Sequence, residues 1–198
     1  GLSHLARLAS LQELDLAETA VDDAGLVHLA DMRRLATLQL TGTEVRGYGL
    51  ARLRDCQQLR AVTLPPIPAA AVEAVNAVKS WHKLSLTLMG DDNLPSTNSA
   101  TSVTINDMRE LSHLRIISES PLHAIHVDNC PQLAGLAVSH NAVQPPGTAL
   151  HLNELQVLRQ IDLVGAFKEL EGDRVLWQLT RIVLEGSLTS DTVRSINR

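Results

Sequence analysis

His123, His126, Cys130 and His140 are the residue types that bind a soft divalent metal. Their spacing argues against that role. No C-x-x-C or H-x-x-x-H pair is present, and if Ile125 and Val127 point into a core, His126 points out while His123 leaves on the other parity. They read as surface histidines and a buried or turn cysteine, with Asn129, Cys130 and Pro131 making a tight turn. His4 and His28 stand in matching surroundings, Gly-Leu-x-His-Leu in both places, and are expected to face solvent, although a stacked pair could sense pH. Catalysis finds no foothold, because there is no G-x-S-x-G, phosphate-binding glycine loop or H-E-x-x-H. The expectation is a chain that is not an enzyme and holds no cofactor or metal.

The remaining polar residues that could do work are set by a repeat. Leu11-x-x-Leu14-x-Leu16 recurs as Leu35-x-x-Leu38-x-Leu40 and as Leu59-x-x-Val62-x-Leu64, each copy offset by 24 from the last (35 − 11 and 59 − 35). Thr19 and Val21 recur as Thr43 and Val45, and Gly25, Leu26 and Leu29 as Gly49, Leu50 and Leu53. The last two apolar residues of each motif are two apart, so both point to one face of a strand and Asp15 and its counterparts to the other. Leu26, Leu29 and Met32 then stand three apart, which suits a short helix returning along the outside. No such unit covers its own leucines. Burial needs a neighbour on each side, so the units must stack.

A repeat of this length and L-x-x-L-x-L spacing resembles the leucine-rich repeat family. Thr19-Ala20-Val21-Asp22-Asp23-Ala24-Gly25-Leu26 is similar to repeats common in bacterial proteins. The resemblance is strong over about the first 90 residues and looser beyond. It implies an α/β fold, a curved solenoid with a parallel sheet on the concave side and short helices or extended segments on the convex side. It also implies a non-catalytic module that binds a protein or peptide partner. Two further roles fit the family: the sensing or recruiting arm of a signalling ATPase or ubiquitin-ligase-type enzyme, and a structural spacer. Thr19 and Thr43 stand where many members have an asparagine that bonds neighbouring turns, a residue restored at Asn141.

Further along, Val72, Val75, Val78, Trp81, Leu84 and Leu86 form a fourth unit in which Trp81 takes a core leucine's place. Pro65, Pro66 and Pro68 exclude helix until about Ala69, and Ala69 to Val78 has helical composition. From Gly90 to Ser102 the chain is polar and aperiodic, a loop or insertion. Beyond it apolar pairs come closer together, at Val103/Ile105, Leu114/Ile116, Ile125/Val127 and Leu136/Val138, but the full motif ends only at Ile116, Val138, Leu163 and Leu184. Taking these as strands five to eight gives steps, counted at that last position, of 24, 24, 22, 30, 22, 25 and 21; the opposite choice needs steps of 19 and 36. Val103/Ile105, Ile125/Val127 and Leu150/Leu152 then form an extended outer wall. The first residues, Gly1 to Leu5, match Gly25 to Leu29, and Leu188, Val193 and Ile196 repeat a convex helix, so both ends read as cut from a longer protein.

The exposed strand positions are the candidate binding face. In order they are Glu13, Asp15, Ala17; Thr37, Gln39, Thr41; Ala61, Thr63, Pro65; Lys83, Ser85, Thr87; His113, Arg115, Ile117; Gly135, Ala137, Ser139; Gln160, Asp162, Val164; and Arg181, Val183, Glu185. Lys83, His113 and Arg115 put positive charge at the centre, between acids at either end, which suits a partner with an acidic centre. Exposed strands are also polar merely to stay in solution. Gly135 and Ala137 leave room for a bulky side chain. Arg33/Arg34 and Arg52/Arg54 make a modest basic strip, diluted by Asp31, Glu44 and Asp55.

Composition is consistent with one stacked domain spanning the 198 residues. Hydrophobic residues reach 44% with only 2% aromatic, so layers are built from side chains of similar size. A net charge of −5 exerts no pull on nucleic acid or an anionic membrane. Two cysteines make no disulfide framework and suit a reducing, cytoplasmic setting. No apolar run of about 18 residues or basic-then-apolar start occurs, so neither a membrane span nor a signal peptide is expected.

Overall fold

A strand with one apolar face and unpaired backbone groups on both edges is satisfied only beside other strands. In the computed structural model, which describes residues 2–89, 102–119, 122–140, 147–172 and 178–186, the strands gather in two parallel sheets. The large one runs β1 (Glu13–Asp15), β2 (Thr37–Gln39), β3 (Ala61–Thr63), β5 (Lys83–Met89), β7 (His113–Ser118), β9 (Gly135–His140), β11 (Gln160–Val164), β13 (Arg181–Glu185), with β4 (Ile67–Pro68) pairing the end of β5. The second orders β6 (Ser102–Asn106), β8 (Ala124–Asp128), β10 (Thr148–Asn153) and β12 (Phe167–Gly172). This is an α/β-type fold of parallel strands with few helices. Neither sheet closes into a barrel among the described residues.

The eight motif copies thus occupy eight successive strands, in register. Leu14 pairs with Leu38 and Leu38 with Val62; Leu84, Leu114, Leu136, Ile161 and Ile182 continue the row. The closely spaced apolar pairs of the second half are divided between the sheets, and inward residues of both, such as Ile116 and Ile125, belong to one hydrophobic cluster. At β13, which has a strand on one side only among the described residues, Ile182 and Leu184 are 38% and 36% exposed.

Several expectations are corrected. The segments after β1 and β2 are 3-10 turns, Gly25–Leu29 and Tyr48–Leu53, because apolar residues three apart form a straight line only at three residues per turn. Among the described residues regular helix is confined to α1 (Val72–Asn76), preceded by a 3-10 turn over Ala69–Ala71. Pro65 is buried and not on the exposed face, since the chain turns there into β4. Ser102 belongs to β6 and not to the polar loop. The strand β12 has no counterpart in the outer wall expected from the spacing. Positions 90–101, Gly1, Asn141, Leu188, Val193 and Ile196 lie outside the described residues.

The change from helical turns to a second sheet is made at α1. The edge strand β6 would present bare backbone groups to α1, and two side chains cover them. Asn76 donates from Nδ2 to the Thr104 carbonyl (2.7 Å) and accepts at Oδ1 from the Asn106 amide (3.3 Å), while Lys79 Nζ donates to the Asn106 carbonyl (3.1 Å). Asn76→Ala is therefore expected to cost about 1–2 kcal/mol in urea unfolding, since both bonds are lost. Asn76→Asp keeps the acceptor for the Asn106 amide but turns a carboxylate oxygen toward the Thr104 carbonyl, so it should cost at least as much. The other ends of this sheet turn on left-handed residues, Asp107, Asn129 and Glu154 (φ 56°, 49° and 54°), the first two being types that tolerate that conformation. Asn129 also donates to Asp107 Oδ1 and Asn153 to Asp128 Oδ1, both at 2.7 Å, tying successive strands together.

Candidate functional site

Parallel pairing turns the exposed strand positions into rows. One row reads Lys83, His113, Gly135, Gln160, Arg181, and the next Ser85, Arg115, Ala137, Asp162, Val183. Glu13, Thr37 and Ala61 continue the first row and Asp15, Gln39 and Thr63 the second. On the outward side of the sheet, across the backbone of Val62, Leu84, Leu114 and Leu136, whose side chains point into the core, lies a groove of about 470 Å³, bounded by Ala61 and Thr63 at one end and by Gln160 and Asp162 at the other. It gathers Thr63, Lys83, Ser85, His113, Arg115, Gln160 and Asp162. Glu13, Asp15, Thr37, Gln39, Ser139, Arg181 and Glu185 lie on strands of the same sheet but do not line it.

The groove has a polarity. Lys83, His113 and Arg115 are exposed, and neither Lys83 nor Arg115 has an ion pair or hydrogen bond among the described residues, where Arg54 stands against Asp55, His82 against Glu110 and His151 against Glu171. Asp162 is half-buried and turned to its own strand, accepting from Gln160 Nε2 at 2.7 Å, with its other oxygen buried and unpartnered. At the N-terminal end, Asp15 accepts from the Ala17 amide at 2.9 Å and the Thr63 hydroxyl bonds Gln39 Oε1. Those groups are already engaged. The charge left unpaired in the groove is cationic, on Lys83 and Arg115.

The space over Gly135 is not open to a partner. A Cβ there would lie 3.0 Å from His113 Cδ2, so the imidazole lies across the glycine, and the room expected at Gly135 is filled from within. Ser112 fixes the ring. Its hydroxyl donates to the His82 carbonyl (2.8 Å), so the 3.0 Å bond to His113 Nδ1 is donated by the imidazole, which leaves Nε2 toward the groove. The signal for this is present in the sequence only as a register, since His113 and Gly135, one strand step apart along the chain, adjoin only if their strands pair in step.

Elsewhere, the residues considered for a metal separate. His126 stacks on His151 with ring centroids 4.6 Å apart, His123 Nδ1 is 3.4 Å from Lys168 Nζ, and His140 is buried against Phe167. Among the described residues no three His, Cys, Asp or Glu side chains gather in a way that could hold a metal ion. Cys56 and Cys130 are free and fully buried, and burial pushes both thiols up from their ordinary value, which keeps them protonated at neutral pH. Thr19 and Thr43 bond the carbonyls of their own turns, Leu16 and Leu40, at 2.6 and 2.7 Å, and not those of a neighbouring unit. His4 and His28 are exposed. Arg33 and Arg34 share a second groove with Asp55, which dilutes their charge.

His140 makes a pH-dependent contribution to stability. It is 4% exposed, neither ring nitrogen has a well-formed hydrogen bond, and burial holds it below its ordinary value of 6.5, opposed in part by the Ala166 backbone. The unfolded chain therefore binds this proton at higher pH than the folded one. The stability tied to neutral His140 is complete above about pH 6.5 and is lost as pH falls below it and through the lower folded value. The urea midpoint is expected to fall on moving from about pH 7.5 to about pH 5.5, and to fall less in His140→Leu. Equal falls would remove His140 as the cause.

No helix among the described residues is long and apolar enough to cross a membrane. Compared with models of known protein families and with curated proteins, the chain matches none.

Proposed function

We propose that this chain is a leucine-rich repeat solenoid of about eight units that acts as a non-catalytic interaction module. It binds a protein or peptide partner through the strand face of its large sheet, and its two free thiols suit the cytoplasm. The observation that carries this reading is the groove at the middle of eight in-register strands, where the small residues Ser85 and Ala137 lie beside the unpaired cations Lys83 and Arg115. At about 4.8 Å between strands, eight of them give a face roughly 35 Å long, enough for a folded partner or an extended peptide.

A steric block tests the face without altering its charge. Ser85 and Ala137 are small residues lining the groove, so Ser85→Trp with Ala137→Trp fills it while leaving Lys83 and Arg115 in place. Affinity capture from lysate is run with both chains, each shown to be folded by circular dichroism. A partner retained by the parent and lost by the filled variant supports the reading. Equal retention by both places the contact elsewhere on the molecule.

A further inference from the structure

We propose that the groove takes an extended acidic peptide segment, one of whose carboxylates is held between Lys83 and Arg115. The inference rests on the strand face being the binding surface and names what that surface recognises. Lys83 and Arg115 stand on adjacent strands one row apart, Lys83 opposite His113 and Arg115 opposite Ser85. Their Cα atoms are thus about 8 Å apart, from a strand spacing of ~4.8 Å and a two-residue rise of ~6.8 Å. Two long flexible cations at that separation can converge on one carboxylate, Arg with two parallel N–H donors and Lys with a point charge.

The surroundings favour an acid at this point and disfavour it elsewhere. Both cations lack an internal partner among the described residues, whereas the nearest front-facing carboxylate, Asp162, is two strands from Arg115 and engaged by Gln160. Ser85, two residues from Lys83 and opposite Arg115, is small and leaves room for a carboxylate beside both cations. Acids at β1 and β13 repel an acidic segment that is shifted along the face. From β3 to β11 the groove crosses five strands, about 19 Å, or roughly six residues of extended peptide. A polyanion such as nucleic acid fits less well, since the two cations are isolated between acidic ends.

The test pans phage-displayed random peptides on three forms of the chain: the parent, Lys83→Glu with Arg115→Glu, and Ser85→Trp with Ala137→Trp. The reversed positions are exposed, so folding is expected to survive, and circular dichroism checks it. Expected is enrichment of Asp and Glu on the parent, of Lys and Arg on the charge-reversed form, and of neither on the filled form. For an enriched acidic peptide followed by fluorescence anisotropy, each single reversal should weaken binding about 10-fold or more, and added salt should weaken the parent. Failure to enrich acids on the parent overturns the proposal, as does equal enrichment of acids on the charge-reversed form. So does tighter binding of a labelled oligothymidylate than of the peptide. Peptides without acids that are lost on the filled form would overturn the acidic preference alone, whereas peptides indifferent to filling would overturn the strand-face reading beneath it.

Discussion

Trp81→Ala is expected to lower the unfolding free energy by about 3–5 kcal/mol, the largest effect of any single core truncation here. Trp81 stands where Leu35 and Leu59 stand in the earlier units, and among the described residues it is the largest of the fully buried side chains. Its Nε1–H donates to the Val75 carbonyl at 3.1 Å, so the ring joins α1 to the chain entering β5. That carbonyl also receives the Val78 amide at 3.2 Å, so deleting the indole leaves it bonded, and the cost comes mainly from the cavity. Trp81→Leu restores the residue of the earlier units and should recover part of the loss, while Trp81→Phe should do better by filling more of the volume. Urea unfolding followed by circular dichroism checks the series. A loss below about 1 kcal/mol for the alanine variant would mean that the surrounding layers collapse into the space.

Gly49→Ala is expected to cost about 2–3 kcal/mol, and Gly25→Ala, at the matching position one unit earlier, less than about 0.5 kcal/mol. A Cβ on Gly49 would lie 2.4 Å from the backbone oxygen of Asp23, which cannot yield without moving the preceding turn. On Gly25 the nearest atom is the tip of Leu2 at 3.2 Å, the flexible end of a side chain. The difference arises three residues upstream. In the first unit Asp22 accepts from the Gly25 amide at 2.9 Å, but its counterpart is Arg46, which has no acceptor. Asp23 of the preceding unit takes over, accepting from Gly49 at 2.7 Å and from Arg46 at 2.9 Å. That reach draws the two backbones together. Parallel denaturation of the two alanine variants separates the cases, and equal costs would show that the Asp23 bridge does not hold the units at this distance.

Where the chain alternates, the positions of strands are legible in the sequence alone. Two residues apart means one face of a strand, and evenly spaced copies of the same motif mean strands that can pair in step, so all eight front strands and three of the four outer ones stand where the spacing puts them. The strand β12 escaped because its buried residues, Phe167 and Leu170, are three apart. Its pairing to β10 shifts register after Thr148, and an irregular strand leaves no alternating pattern to read. Pro65 and Leu64 failed for a related reason. The motif predicts Leu64 inward, but the chain leaves the sheet early for β4, so Leu64 is only half-buried and Pro65 is covered instead.

Along the strands that alternate, the sequence by itself determined which side chains face the interior and which face out, because that choice is made within a few residues by a period of two. The tertiary structure alone decided who stands beside whom. Lys83 next to Arg115, His113 laid over Gly135, and Gly49 against Asp23 join residues about one unit or more apart along the chain. Such neighbours are fixed by register and by how closely adjacent units pack, and a chain built of near-copies carries the same local signal in each of them. What distinguishes the groove from the rest of the strand face is therefore a property of the packed units.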